Sequence, residues 1–212
     1  MRTVLVTGAG SGLGRALIDV FAKNGWEAVA ASHSDLDVAN QKSIETFVAD
    51  LKGKPIDVLI NCAGVYDSPP GDETVVSTIP NIIKIFQVNT IGTRVLTDSL
   101  LPNLQKGNEK LVVTISSEMG TYDKLDEYNA KHWPYSASKI AVNYAMLAFN
   151  RAHPKMKCVL IHPGWMKTKL GGVNAPLEPS FSAEKIFELI KNHKRSLVNG
   201  KIVDYEGKLI GF

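Results

Sequence analysis

Cysteine is scarce: only Cys62 and Cys158 occur in 212 residues. Each lies in or beside an apolar run, where a thiol acts as a small buried hydrophobe in a reducing compartment. No disulfide framework is available, and none is needed, since a chain of this length removes roughly 70% of its unfolded surface from water. Charge of one sign is scarce too. Lys and Arg number 24 against 21 Asp and Glu, a net +3, too small and too dispersed for a nucleic-acid or membrane-surface protein. The densest basic stretch, KNHKR from Lys191 to Arg195, reads as a solvated helix end. No apolar run approaches the ~20 residues of a membrane span, and the first strand-like run begins at Thr3, leaving no room for a leader. His33, His132, His153, His162 and His193 form no pair at ligand spacing, so no metal is expected. Repeats, low-complexity tracts and linkers are lacking as well. These absences predict a soluble, cytoplasmic protein with one domain over residues 1–212.

What is present is alternation. Apolar runs at 3–7, 27–31, 58–61, 111–115 and 158–162, with a weaker one at 201–205, read as strands. Helical patterns at 13–24, 41–51, 75–104, 134–153 and 182–193 fall between them. Such alternation predicts an α/β fold, a doubly wound parallel sheet of the Rossmann type with helices on both faces. The near-continuous Val, Ile, Leu and Ala of the strands suits a sheet covered on both sides. Between EAVAAS and DLDVAN stand only His33 and Ser34, whereas a parallel crossover needs about a dozen residues. The usual third strand and the helix before it are therefore expected to be missing, leaving about six strands, with helix 41–51 crossing to the other side of the first strand.

Two short stretches carry chemistry. TGAGSGLG at 7–14 follows a strand and opens a helix, the context in which glycines let a backbone approach a pyrophosphate and helix amides face the anion. A ligand-free tight turn would also use glycine, so the stretch alone leaves both readings open. YSASK at 135–139 places Tyr135 and Lys139 four residues apart, on one helix face, with Pro134 opening the helix. An ammonium about 6 Å from the phenol favours loss of its proton by roughly 2 to 3 kcal/mol at an effective dielectric near 20, which suits a general acid or base. A lone YxxxK is common by chance.

Order along the chain narrows the choice. The glycine turn, NCAG from Asn61, Asn89 in QVNTIGT, ISSEMG from Ile115, YSASK and HPGWMKT from His162 follow one another at successive strand ends. Together they resemble the short-chain dehydrogenase/reductase family over nearly the whole chain. HPGWMKTKLGGVNAPLEP and the closing GKIVDYEGKLIGF are similar in particular to its compact carbonyl-reductase-like branch, which includes the sniffer and C-factor proteins. The resemblance implies an oxidoreductase moving hydride between a nicotinamide dinucleotide and a small carbonyl or alcohol. It implies Tyr135 as general acid, Lys139 on the nicotinamide ribose and beside the phenol, Ser117 rather than Ser116 on the carbonyl oxygen, and Asn89 holding a relay water. It implies cofactor contacts at Gly8, Gly10, Ser11, Gly12, Leu13, Gly14 and Arg15, at Asn61, Ala63 and Gly64, and at Pro163, Gly164 and Thr168, with Asp37 and Val38 at the adenine. A homodimer or homotetramer pairing through helices 75–104 and 134–153 is a further implication.

The choice of dinucleotide rests on the end of the second strand, where an acidic residue would accept the ribose 2′-hydroxyl and donors would suit a 2′-phosphate. Ser32 and His33 stand there, with Arg15 near the turn, so NADP(H) is expected over NAD(H). The shortened edge leaves Asp35 a route back toward the ribose. The stretch TYDKLDEYNAKHW lengthens the interval between Ser117 and Tyr135 and brings Tyr122, Tyr128, His132 and Trp133 to the cleft or to a partner subunit. Segments 66–73, 118–132 and 169–179 are expected to close the pocket, and Trp165 to line it or enter the core. A dinucleotide-sensing regulatory or interaction protein that turns over little is the alternative. A nucleotide-sugar epimerase or dehydratase would need a substrate domain for which the chain has no room.

Overall fold

Alternate residues of the apolar runs serve opposite faces of one sheet. In β1 (Thr3–Thr7) Val4 and Val6 join one buried cluster and Leu5 the other. The same division recurs in β3 (Val58–Asn61), β4 (Leu111–Ile115) and β5 (Lys157–His162). A side-chain period of two with both faces buried is why these strands show no polar alternation. The structure is a computed structural model, and it describes residues 1–66, 78–192 and 200–211.

With β2 (Glu27–Ala31) and β6 (Ile202–Asp204) the sheet has six strands in the order β2-β1-β3-β4-β5-β6, every neighbouring pair parallel. This is a Rossmann-like α/β fold. No further strand lies outside β2 among the described residues, and the chain passes from Ala31 to α2 (Gln41–Asp50), which crosses to the far side of β1 as the short His33–Ser34 interval requires. The order therefore reverses beside β1, which places the ligand crevice of such a sheet at the carboxyl ends of β1 and β3.

One face is covered by α1 (Gly12–Lys23) and α8 (Pro179–Lys191), where Phe21 and Phe187 meet edge-on at 4.9 Å. The other is covered by α2 together with α4 (Thr93–Ser99), α5 (Leu101–Lys106) and α7 (Trp133–Ala152). The helix expected over 75–104 is interrupted. Residues 75–77 lie outside the described residues; beyond them come α3 (Ile79–Phe86), a π-helical turn over Gln87–Gly92, then α4 and α5. At Gly92 a Cβ would stand 2.2 Å from the Val38 carbonyl oxygen, so only glycine lets the helix pass the loop after β2. Pro102 restarts the chain as α5 because it cannot donate within a continuing helix.

The inserted stretch before Tyr135 is not a plain loop. It holds 3₁₀ turns at Glu118–Gly120 and Tyr122–Lys124, then α6 (Glu127–Lys131), whose N-cap Asp126 accepts from the Asn129 amide at 2.7 Å. Pro134 is the second residue of α7, not its first. His193, where the last predicted helix ends, and most of KNHKR fall outside the described residues, as does segment 67–73.

Candidate active site

The glycine turn is built by close approach. Gly8 has φ +67°, and a Cβ there would stand 2.9 Å from the Ala63 Cα; one on Gly14 would stand 2.3 Å from the Gly8 carbonyl oxygen. The Thr7 hydroxyl accepts from the Cys62 and Ala63 amides at 2.9 and 3.0 Å, which ties the turn to NCAG. Ser11 caps α1 without a side-chain bond, and no acidic residue lies in the first turn. The amides of Gly12 and Leu13 are therefore offered outward at the positive end of the helix. This backbone-donor set, with side chains excluded from the turn, fits the pyrophosphate of a dinucleotide.

Thr168 closes the turn from the other side: its Cγ2 would be 3.1 Å from a Cβ on Gly12. Its hydroxyl accepts from Leu170 and Gly171, folding the loop over 165–177, to which Trp165 adds a bond to the Gly171 carbonyl at 2.7 Å. Trp165 is 55% exposed, so it is not core. Pro163 is fixed by the Ser182 hydroxyl on its carbonyl, and Gly164, at φ +82°, packs against Leu177 and Tyr205 where a Cβ would collide.

Lys139 is buried, and its Nζ donates to the Ile115 carbonyl at 2.8 Å and lies 5.6 Å from the centre of the Tyr135 ring. Burial lowers its pKa to about 8, the Cys62 thiol opposing slightly. Burial likewise raises Cys62 to about 12. A Cβ on Gly64 would come within 3.9 Å of the Lys139 Nζ and 3.4 Å of the Asn89 Oδ1, so NCAG, Asn89 and Lys139 converge. The Asn89 side chain clamps Val65 through both its backbone amide and carbonyl at 2.9 Å and donates to the Ser138 hydroxyl at 3.0 Å. Both amide hydrogens are thus spent on protein, and a relay water can meet Asn89 only at an acceptor. Ser138 donates a hydrogen bond to the Tyr135 carbonyl at 2.7 Å, and Thr90 donates to the Ser138 carbonyl, so the π turn is latched to α7. Ser138 and Thr7 were not singled out from sequence, though each lies inside a motif that was.

The two serines after β4 are distinguished by their partners. Ser116 donates to the Asn143 Oδ1 at 2.7 Å, while the Ser117 oxygen accepts from the Met119 amide at 3.2 Å. The loop-capping hydroxyl is thus Ser117, and the capping bond leaves its proton available to donate. His162, at the end of β5, accepts from the Glu118 amide at 3.2 Å, and burial lowers its pKa against the opposing charges of Glu118 and Asp204.

Aromatic side chains wall this end. Tyr66 meets the Tyr135 ring edge-on at 4.6 Å and stacks on His132 at 5.0 Å. Tyr128 meets His132 at 4.5 Å and the Tyr66 hydroxyl at 3.2 Å. Of the four aromatics in the inserted stretch, Tyr128 and His132 make these contacts, while Tyr122 and Trp133 are exposed. At the adenosine end, Ser32 lies beside the turn, its Cβ 3.5 Å from a Cβ on Gly10. His33 is exposed, and Arg15 pairs with Asp19 at 3.0 Å. Three further expected cofactor residues have side-chain partners or surroundings within the fold. The Asn61 amide serves Thr97 and Thr114 inside the fold, Val38 is buried in the core, and the Asp37 carboxylate accepts from Ala39.

A parallel sheet whose glycine turn, helix amides and buried lysine share one crevice is that of a dinucleotide-binding oxidoreductase. The chain belongs to the short-chain dehydrogenase family, which it matches over residues 27–176. It is 27% identical to a short-chain dehydrogenase of Penicillium roqueforti, over 99% of this chain and 96% of that protein. It is 30% identical to the C-signal of Myxococcus xanthus, over 77% and 97%. Its fold is similar to that of an NADPH-bound carbonyl reductase from chicken fatty liver, with TM-score 0.86, 23% identity and 100% and 99% of the two chains covered. The carbonyl reductase Sniffer of D. melanogaster is similar at TM-score 0.80 and 25% identity over 100% of both chains. Among the described residues no group of His, Cys, Asp or Glu could hold a metal, and no helix is long and apolar enough to cross a membrane.

Proposed function

We propose that residues 1–212 act as one domain that reduces a small carbonyl compound, or oxidises the corresponding alcohol, with NADP(H) preferred over NAD(H). The observation that carries this reading is the buried Lys139 ammonium, 5.6 Å from the Tyr135 ring and beside Gly64. When bound, the dinucleotide supplies or accepts the hydride. Tyr135 gives its phenolic proton to the carbonyl oxygen and takes it back in the reverse direction. Lys139 binds the ribose hydroxyls with the hydrogens not used on Ile115, and its charge eases proton loss from the phenol. Ser117 donates to the same carbonyl oxygen as negative charge grows there. Asn89 holds the π turn, Val65 and Ser138 in place around them, and the turn at Gly8–Gly14 with Ser11 and Leu13 takes the pyrophosphate. Tyr66, Tyr128 and His132 wall the substrate side. Ser32, His33 and Arg15 support the NADP(H) preference, and the NADPH carried by the chicken carbonyl reductase accords with it.

Exposed Ile79, Ile83, Ile91 and Val95 on α3 to α4, with Tyr144 on α7, support self-association as a homodimer or homotetramer. The unbridged thiols Cys62 and Cys158 accord with a cytoplasmic setting. The test is Tyr135→Phe, assayed by nicotinamide absorbance across aldehydes, ketones and quinones. Turnover is expected to fall by about 10² to 10⁴, with dinucleotide affinity within a few fold. Undiminished turnover would remove Tyr135 from the chemistry, and tight binding without turnover by the unaltered chain would favour the sensing role.

A further inference from the structure

Beyond Ser117 the chain enters a 3₁₀ turn, and the first amides of such a turn have no partner within it. The Met119 amide is met by the Ser117 side-chain oxygen at 3.2 Å, and the Gly120 amide by the Ser117 carbonyl at 3.0 Å. The Glu118 amide is met from another strand: Nδ1 of His162, at the end of β5, accepts it at 3.2 Å. The Ser116 amide bonds the Ile161 carbonyl at 2.8 Å, so β5 holds the backbone on both sides of Ser117. The His162 side chain is 15% exposed, and its Nε2 lies 3.8 Å from the Glu118 carboxylate. An accepting Nδ1 carries no hydrogen, which puts the hydrogen of the neutral ring on Nε2, toward that carboxylate.

Proton uptake reverses this contact. A protonated ring carries hydrogen on both nitrogens, so Nδ1 turns from acceptor to donor and faces the Glu118 amide, another donor. Glu118 then withdraws from the ring and carries with it Ser117, the residue before it. We propose that His162 is a positioning residue for Ser117: the unprotonated ring holds the serine where the carbonyl oxygen needs its hydrogen bond, and a proton at Nδ1 releases it. This rests on the role given to Ser117 above. The charged groups that face the ring are Glu118 on the 3₁₀ turn, Asp204 on β6, paired with His162 in register, and Lys124 on the following turn. Burial outweighs the two carboxylates and, with Lys124, keeps the ring neutral to below its ordinary pKa of 6.5. The carboxylates steady an imidazolium once it forms, so the release is a change of hydrogen-bond direction and not the expulsion of a charge.

The test reads the loop and the reaction separately. On the full chain without ligand, the Glu118 and Met119 amide resonances and the His162 ring resonances are followed by NMR from about pH 8 to about pH 5. All are expected to move with one midpoint. In His162→Asn, whose side-chain oxygen takes the place of Nδ1 as acceptor, the two amides are expected to stay still. Turnover of the carbonyl compound reduced fastest in the panel above should fall about tenfold across that midpoint and then level off, through kcat and with KM within about threefold. His162→Asn should lose this acid limb while keeping kcat near neutral pH within about threefold, and His162→Leu, which offers no acceptor, should be about tenfold slower at every pH. The alkaline limb, set by Lys139 at about 8, should not move in either variant. An acid limb that survives in His162→Asn, or amides that titrate there as in the unaltered chain, overturns the proposal. If no carbonyl is turned over, the reductase reading fails and the role of His162 falls with it; amides that ignore the ring in an active enzyme overturn the role of His162 alone.

Discussion

The two ends of the crevice are made of different material. At the reacting end Tyr135, Ser138, Lys139 and Asn89 are all under 10% exposed, and the side chains of the last three are hydrogen-bonded within the fold. At the adenosine end Ser34, Asp35, His33 and Arg15 are open to solvent or nearly so, linked by bonds that water can replace. The first arrangement is costly to build and hard to alter; the second is cheap and adjustable. Buried, hydrogen-bonded side chains fix the first end, while the second is an exposed surface turn.

Three changes would break or sharpen this contrast. The largest effect is expected from Gly14→Ala, where the new Cβ meets the Gly8 carbonyl oxygen at 2.3 Å and α1 must withdraw from the turn. Stability should fall by about 2 to 3 kcal/mol, and the rise in melting temperature on adding NADPH should vanish. A variant with an unaltered ligand-induced rise would contradict the close-packed turn.

Lys139→Met comes next and should act in opposite directions on activity and stability. The folded pKa of about 8 lies below the ordinary lysine value of 10.5, so the unfolded chain binds more protons between those limits and stability rises with pH across that window. Below pH 8 the buried charge costs on the order of 3 kcal/mol, partly offset by about 1 kcal/mol from its bond to Ile115. The methionine variant should therefore lose turnover yet unfold at a higher temperature at pH 7, the difference narrowing above pH 8. A less stable variant at pH 7 would mean that the ammonium is better compensated than its surroundings imply.

The smallest effect is expected from Arg15→Gln. Its pair with Asp19 is exposed at both partners, so folding should be unchanged, while NADPH affinity falls about three- to tenfold and NADH affinity does not. Equal losses for the two nucleotides would place Arg15 on the pyrophosphate.

The strands were legible because a doubly covered parallel sheet demands unbroken apolar runs, and each of the six runs lies within a residue of its strand. The missing strand was legible from loop length alone, since two residues cannot make a parallel crossover. The π turn was not, and the close approach of Gly92 to the Val38 carbonyl beside it joins segments distant in the chain. Nor were the different partners of Ser116 and Ser117, since Asn143 on α7 holds the first and the Met119 amide bonds the second. The inward packing of the Asn61 and Val38 side chains was not legible either, because it depends on Thr97, Thr114 and the core beneath the sheet edge.

Local order in the chain determined which segments become strands and helices, where the glycine turn falls, and that Tyr135 and Lys139 share a helical face, because each depends on residues a few positions apart. Folding alone decided that Lys139 is stripped of water, that Tyr66 meets Tyr135 edge-on and stacks on His132, and that Asp35 lies on Ser32. Burial and the meeting of separate loops depend on how layers pack, and no spacing within one segment encodes them.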